Sequence, residues 1–291
     1  MHPEHIEVLD AAGLATALDW AAAEGWNPGV DDGPAFLAAD PEGFFGAHVD
    51  GELAVTVSLV RYDDRFAFGG FYIAAPDHRG RGIARALSRV VLERAAGRVV
   101  GLDAVLEQEA TYARDGFVTA HGTTRYAWTP TTAGPPVDPP VDPPVDPPVD
   151  PPVDARSVGV GILAEYERAL FPAPRARFLD AWLAMPSAVS RAVVQDGVLE
   201  GWGLRRRCRS GHKIGPLFAD SPEIADVLLR ALVRDADGPV SLDVPDPNLG
   251  ARSLVDRHGM TPVFSTRRMY RGPAPVLDLD RVYGVTTLEL G

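Results

Sequence analysis

Five consecutive Pro-Pro-Val-Asp tetrapeptides run from Pro135 to Asp154. Proline fixes φ and removes an amide donor, so no helix interior or central strand can pass through such a tract. What folds must therefore fold before it or after it. The prolines favour an extended polyproline II course and the aspartates add to the extension, so twenty residues would reach roughly 60 Å. Two uses stay open, a passive spacer and a ligand for a proline-recognition domain. In a chain of 291 residues the tract leaves two segments of ordinary domain size, each long enough to bury a core. The expected division is a domain at 1–132, a linker at 133–155 and a domain at 156–291.

Several function classes fall away on composition. A net charge of −12 argues against a nucleic-acid partner, which leaves a basic footprint. The longest apolar stretch, "LAVTVSLV", is far below the roughly 18–20 residues of a membrane span. The first residues, "MHPEHIEVLD", lack the basic and apolar regions of a secretory signal. The single cysteine, Cys208, allows no internal disulfide and suits a reducing compartment. The seven histidines have no metal-ligand spacing, so no metal site is expected. The expectation is a soluble cytoplasmic protein with no nucleic-acid or membrane partner. Oligomeric state is not written in the chain.

The N-terminal segment reads as a strand at 6–9, helices in "GLATALDWAAAEGW" and "DGPAFLAAD", and two or three strands across 43–75 with "DG" and "DD" as turn signals. A helix "GIARALSRVVLERAAG", a strand "RVVGLDAV", a short helix "QEATYARDG" and paired strands in "FVTAHGTTRYAW" complete it. After the tract come helices in "VGILAEYERALF" and "RARFLDAWLAM", then three strands within 188–218. The helix "SPEIADVLLRALVRDADG" follows, with Ser as its cap and Pro at its first position. A strand "PVSLDV", a helix "LGARSLVDRHG" and a strand "PVFSTRRMY" close the segment. The order of elements is the same twice over.

The two segments also match residue by residue. "RDGFVTAHGTTR" from Arg114 aligns with "RHGMTPVFSTRR" from Arg257, with the pairs Arg114/Arg257, Gly116/Gly259, Thr123/Thr266 and Arg125/Arg268 identical. "LDAV" at Leu102 aligns with "LDVP" at Leu242, and the offsets stay between 140 and 143. A duplicated mixed α/β fold follows.

Chemistry concentrates in "YIAAPDHRGRGIARAL", between a strand and a helix. Gly80 and Gly82 remove side chains where the chain enters the helix, Arg79 and Arg81 add positive charge, and free amides at a helix start attract phosphate oxygens. Arg79-x-x-Gly82-x-Ala84 resembles the coenzyme A pyrophosphate signature [QR]-x-x-G-x-[GA] of the GNAT acetyltransferase family. "TYARDGF" resembles that family's Tyr-x-x-x-Gly-Phe. "EGWNPG", "DPEGFF", "CRSGHKIGPLFAD", "DVPDPN" and "RVYGVTTLELG" are similar to stretches of a tandem subgroup of the family.

The resemblance implies two tandem GNAT folds, each a mixed, mostly antiparallel central sheet flanked by helices. It implies acetyl-CoA as donor in a cleft between the splayed strands "FYIAA" and "VVGLDAV". Backbone around Ile73, Ala74 and Ala75 would hold the pantetheine arm, and Arg79, Gly80, Arg81, Gly82, Ile83 and Ala84 the pyrophosphate. An acceptor amine, expected to be a small molecule, would attack directly. Tyr112 stands where many members carry a general acid for the leaving thiolate, and its other reading is a core tyrosine. Glu24, Asp31 and Asp32 border the acceptor side, but each also reads as a surface or capping carboxylate, and a water chain serves equally as base. Trp26 and Phe36 are either pocket or core.

In the second segment Asp220, Ser221, Pro222 and Glu223 replace Arg79, Gly80, Arg81 and Gly82, and Val255 replaces Tyr112. Acids at a helix start cap it but repel a diphosphate. The second fold is therefore expected to be degenerate. "RRRCRSGHK" reads either as a contact for an anionic acceptor or coenzyme A's adenosine phosphates, or as a solvated strand-turn face. Function is expected to be N-acetyl transfer from acetyl-CoA. The alternatives are a coenzyme A-binding sensor or scaffold, and a protein-acetylating enzyme that docks through its second half.

Overall fold

The computed structural model describes residues 5–130 and 149–291. Strands β1 (His5–Val8), β2 (Phe44–Val49), β3 (Glu52–Arg61), β4 (Phe66–Ala74), β5 (Val99–Val105) and β6 (Val118–Trp128) belong to the first half. Its helices are α1 (Ala11–Ala23), α2 (Asp32–Ala39), α3 (Ile83–Glu93) and α4 (Glu109–Arg114). The second half repeats the plan with α5 (Val160–Tyr166), α6 (Ala176–Leu183), β7 (Val189–Gln195), β8 (Val198–Arg207) and β9 (His212–Ala219). It continues with α7 (Pro222–Val233), β10 (Val240–Pro245), α8 (Leu249–Arg257) and β11 (Thr261–Arg271), then a short strand β12 (Val282–Gly284). Most of the proline tract lies outside the described residues. Its last copy is folded, with Val153 bridged to Ala192 and the Asp154 carboxylate accepting from Ser190 Oγ at 2.7 Å.

The described strands form one twelve-stranded mixed sheet in the order β1-β2-β3-β4-β5-β11-β6-β10-β9-β8-β7, with β12 on β9. The last long strand of each half has crossed into the other. β11 lies between β5 and β6, and β6 lies between β11 and β10. Thr123 faces Thr266 directly across the β6–β11 pair, close to the pseudo-twofold centre. The expected paired strands at 117–128 are instead this single strand, whose two partners both come from the second half. Gly122 at its middle makes no turn. A Cβ there would stand 2.0 Å from Asp246 Oδ2, so glycine admits the Asp246 side chain instead.

The residues identical between the halves lock the exchange. Arg125 on β6 sits opposite Asp243 on β10 and donates from Nε and Nη2 to its two oxygens at 2.6 and 2.9 Å. Arg268 on β11 sits opposite Asp103 on β5 and does the same at 2.8 and 2.8 Å. Both pairs are almost wholly buried. Burial raises the Asp243 carboxyl, but the adjacent Arg125 charge and hydrogen bonds outweigh it and hold it below the usual range.

The helices close the two faces. Ile83, Leu87 and Val91 of α3 pack with Val55, Val57 and Leu102 on one face of the first half, and Ile224, Leu228 and Leu232 of α7 do the same job in the second. A third cluster joins the halves: Phe36 of α2 stacks on Trp182 of α6 at 6.2 Å between ring centroids. Phe36 is thus core, one of its two expected readings.

Candidate donor cleft and acceptor pocket

β4 runs parallel to β5 only from Phe66–Gly69 against Val99–Leu102. Past that point the strands part. β4 carries one extra residue against β3, because Thr56 pairs Ile73 while Ser58 pairs Gly70. Phe71 within this bulge has φ +48°, which turns the strand away from its neighbour. The Thr56 hydroxyl donates to the displaced Phe71 carbonyl at 2.9 Å, so the bulge leaves that group satisfied.

An open cleft of about 620 Å³ occupies the gap and extends over the start of α3, within the size range of small-molecule sites. Of the residues expected to hold the donor, Ile73, Ala74, Arg79, Gly80, Gly82 and Ala84 line it. Three do not. The Ala75 amide already donates to Ala54 at 2.9 Å, Ile83 is fully buried beneath α3, and Arg81 is exposed on the loop. Gly80 and Gly82 have φ of +72° and +78°, which disfavour any side chain, and a Cβ at either would meet nothing within 4 Å. Gly82 is also the N-cap of α3 and brings no capping side chain. The helix start thus faces the cleft with amides uncapped by side chains, a fit for a diphosphate. Arg79 donates from Nε to the Ala74 carbonyl at 3.1 Å, and its guanidinium pairs with the Glu24 carboxylate.

A deeper, narrower pocket adjoins the cleft where the strands first diverge. Trp26, Gly70, Tyr72, Asp103, Tyr112 and Glu289 are among its walls. Tyr112, on α4, packs edge-on against Tyr72 and Phe117 at 6.0 and 5.9 Å between centroids. Burial, with smaller contributions from Tyr72 and Asp115, pushes its hydroxyl well above the ordinary tyrosine range. Trp26 is a wall of both the pocket and the cleft and also packs, half-buried, against the core cluster that joins the halves.

The candidate carboxylates of the first half all have partners. Glu24 holds Arg79, Asp31 accepts from the Ser187 amide at 3.1 Å, and Asp32 accepts from the Gly29 amide at 2.8 Å beside Arg206. The "RRRCRSGHK" stretch is only in part the expected solvated face: Arg207 and Arg209 are exposed, but other cations of the stretch turn inward. Arg206 and Lys213 are buried against the first half, Lys213 donating to the Trp26 carbonyl at 3.1 Å and Arg206 pairing with Asp32 at 2.9 Å. Burial drives the Cys208 thiol upward despite the cations around it.

The second half has the same bulge and the same divergence. β9 gains one residue against β8 at Gly215–Pro216, and its parallel pairing with β10 ends at Ile214 and Leu242. Here the gap is filled. β12 pairs with β9 at Leu217 and Phe218, and the Val285 amide donates to Asp243 on β10 at 2.9 Å. α7 starts with Ser221 accepting from the Ile224 amide at 3.3 Å, and Asp220 takes the Tyr166 hydroxyl at 2.6 Å. The replaced residues therefore serve as a helix cap and an anchor. Val255, at the position matching Tyr112, is fully buried. Among the described residues no group of three or more His, Cys, Asp or Glu could hold a metal, and no helix is long and apolar enough to cross a membrane.

Known proteins share this arrangement. The acetyltransferase (GNAT) family matches residues 13–117, and an acetyltransferase (GNAT) domain matches residues 163–284. Holothin acyltransferase of Pseudoalteromonas sp. (strain SANK 73390) is 32% identical over 276 residues, which is 94% of this chain and 90% of that protein. A Pyrococcus horikoshii structure assigned to the acetyltransferases superposes with a TM-score of 0.80 at 22% identity, over 99% of this chain and 95% of its own. A tandem GNAT protein from the clavulanic acid biosynthesis pathway gives 0.60 at 16% identity, over 93% and 99%.

Proposed function

The chain belongs to the GNAT acyltransferase family, and on that premise we propose that it is an acetyl-CoA-dependent N-acetyltransferase acting on a primary amine of a small molecule. The observation that carries the reading is the single open divergence between β4 and β5, continuous with the side-chain-free start of α3, against its filled counterpart in the second half. The donor supplies a thioester whose carbonyl carbon takes the amine while its sulfur leaves. Strand edge Ile73–Ala74 and the amides from Gly80 to Ala84 hold the donor's arm and diphosphate, with Arg79 exchanging Glu24 for a phosphate oxygen. Tyr112 Oη holds the proton that the departing sulfur needs. Trp26 and Phe264 narrow the approach from the other side, which suits a small acceptor better than a protein surface. The relative named for holothin makes holothin the first acceptor to try. The test is thiol release from acetyl-CoA with holothin and with a panel of small primary amines. Turnover with at least one is expected. Tight acetyl-CoA binding without thiol release on any of them would favour a binding protein over an enzyme.

A further inference from the structure

After filling the second half's gap, the chain crosses to the first half's gap. Residues 287–291 form a tight turn there, in which the Thr287 hydroxyl accepts from the Glu289 and Leu290 amides at 3.0 and 2.9 Å. The Tyr62 hydroxyl donates to the Leu290 carbonyl at 2.8 Å. Arg175 donates to a Gly291 oxygen at 3.1 Å and to Thr286 Oγ1 at 2.7 Å, while its Nε is held by Glu167 at 2.7 Å. The Glu289 carbonyl lies so close to Gly70 that a Cβ on Gly70 would stand 2.4 Å from it. The backbone of Glu289 is thus pinned against the bulge of β4, at the mouth of the strand divergence.

Glu289 is a wall of the same pocket as Tyr112 and Asp103. Glu289 is only 3% exposed, yet its Oε2 is buried with no hydrogen-bond partner among the described residues. Asp103, the other carboxylate of the pocket, is fully occupied by Arg268. An unpaired buried carboxylate oxygen is costly, and such groups collect where a ligand or a reaction uses them.

We propose that Glu289 is a catalytic residue contributed by the second half: its carboxylate receives the acceptor as an ammonium ion and removes the first proton. The inference rests on the acyl-transfer reading above. The balance runs from ammonium to amide. Glu289 takes one proton from the nitrogen and later releases it to water. The free amine forms the N–C bond as the C–S bond breaks, Tyr112 gives its proton to the sulfur, and the nitrogen's second proton returns to Tyr112. Charged and titratable groups around Glu289 are Asp32 on α2, Arg125 on β6 and Lys213 on β9, with Asp103, Tyr72 and Tyr112 across the pocket. The placement also gives the second half a direct part in the chemistry.

The experiment compares Glu289→Gln, Glu289→Asp and wild type with acetyl-CoA and whichever of holothin and the small primary amines the wild type turns over. Melting temperature and acetyl-CoA affinity by calorimetry are followed alongside. Glu289→Gln should lose about 100-fold or more in kcat/KM at neutral pH, with donor affinity unchanged. Its rate should climb with pH toward the acceptor's own pKa, whereas the wild type is already flat there. Glu289→Asp keeps the charge but withdraws it by one methylene, and should fall between the two. Variants that bind donor and match the wild-type rate and pH profile within twofold overturn the role of Glu289 and leave the acyl-transfer reading standing. A wild type that binds acetyl-CoA and acylates none of these amines overturns both.

Discussion

At the scale of single residues, the site works by leaving a few groups without competing partners. Gly82 gives α3 no side-chain cap, burial pushes the Tyr112 hydroxyl above the ordinary tyrosine range, and Glu289 keeps one oxygen unpaired. By contrast, Asp103 is matched by Arg268 and Asp243 by Arg125. Tyr112→Phe keeps the edge-on ring contacts with Tyr72 and Phe117 and removes only the proton. Its kcat is expected to fall about 100-fold with acetyl-CoA affinity unchanged, as read by steady-state thiol release beside calorimetry. A kcat within twofold of wild type would return Tyr112 to its alternative reading as a packing residue. Tyr112 was legible in the chain because Tyr-x-x-x-Gly-Phe is local. Glu289 was not. It is a lone acid in the apolar "TTLELG", and nothing near it in sequence tells that Gly70, far away in the chain, will receive it.

At the scale of elements, the exchanged strands decide how the two halves cohere. β6 and β11 each have both sheet neighbours in or from the opposite half's strands, and the Arg125–Asp243 and Arg268–Asp103 pairs cross each exchange. Arg268→Met removes one partner and leaves the Asp103 carboxylate buried, at the edge of the acceptor pocket. Breaking such a pair costs roughly 3–5 kcal/mol, so urea unfolding should show a loss of that order. A loss under about 1 kcal/mol, the range of exposed pairs, would mean that the strand exchange does not depend on the bridge. Helices and strands were readable from their periods, because α3 and α7 bury one face and the strands alternate or run apolar. Strand partnership was not readable. The pattern of β6 is the same whether it pairs within its half or across to β10 and β11, and only the identical Arg and Asp positions in the two halves carried a trace of it. The "DG" turn at Asp50–Gly51 was legible, and both residues take positive φ there, as Asp196 and Gly197 do in the second half.

At the scale of the whole molecule, a duplicated fold has one cleft open and the other filled by its own chain. Residues 282–285 occupy the second gap, and residues 287–291 continue to the edge of the first. The segment that fills the second half's gap thus also walls the pocket beside the first half's open cleft. The proline tract marks the boundary between two copies of the fold, and the described strands of both halves nevertheless share one sheet. The replaced residues at the start of α7 could be read from sequence as unfit for a diphosphate, but the segment that fills the gap beside them could not. Calorimetric titration of acetyl-CoA into the wild type, Gly82→Ala and Gly82→Glu tests this most directly. Both variants strain the left-handed backbone at Gly82, at a cost of roughly 1–2 kcal/mol, but only the second places a carboxylate at the diphosphate position. The account predicts one acetyl-CoA per chain, bound more weakly by Gly82→Ala and weaker by at least a further 100-fold in Gly82→Glu. Two acetyl-CoA molecules per chain, or Gly82→Glu binding as well as Gly82→Ala, would contradict it.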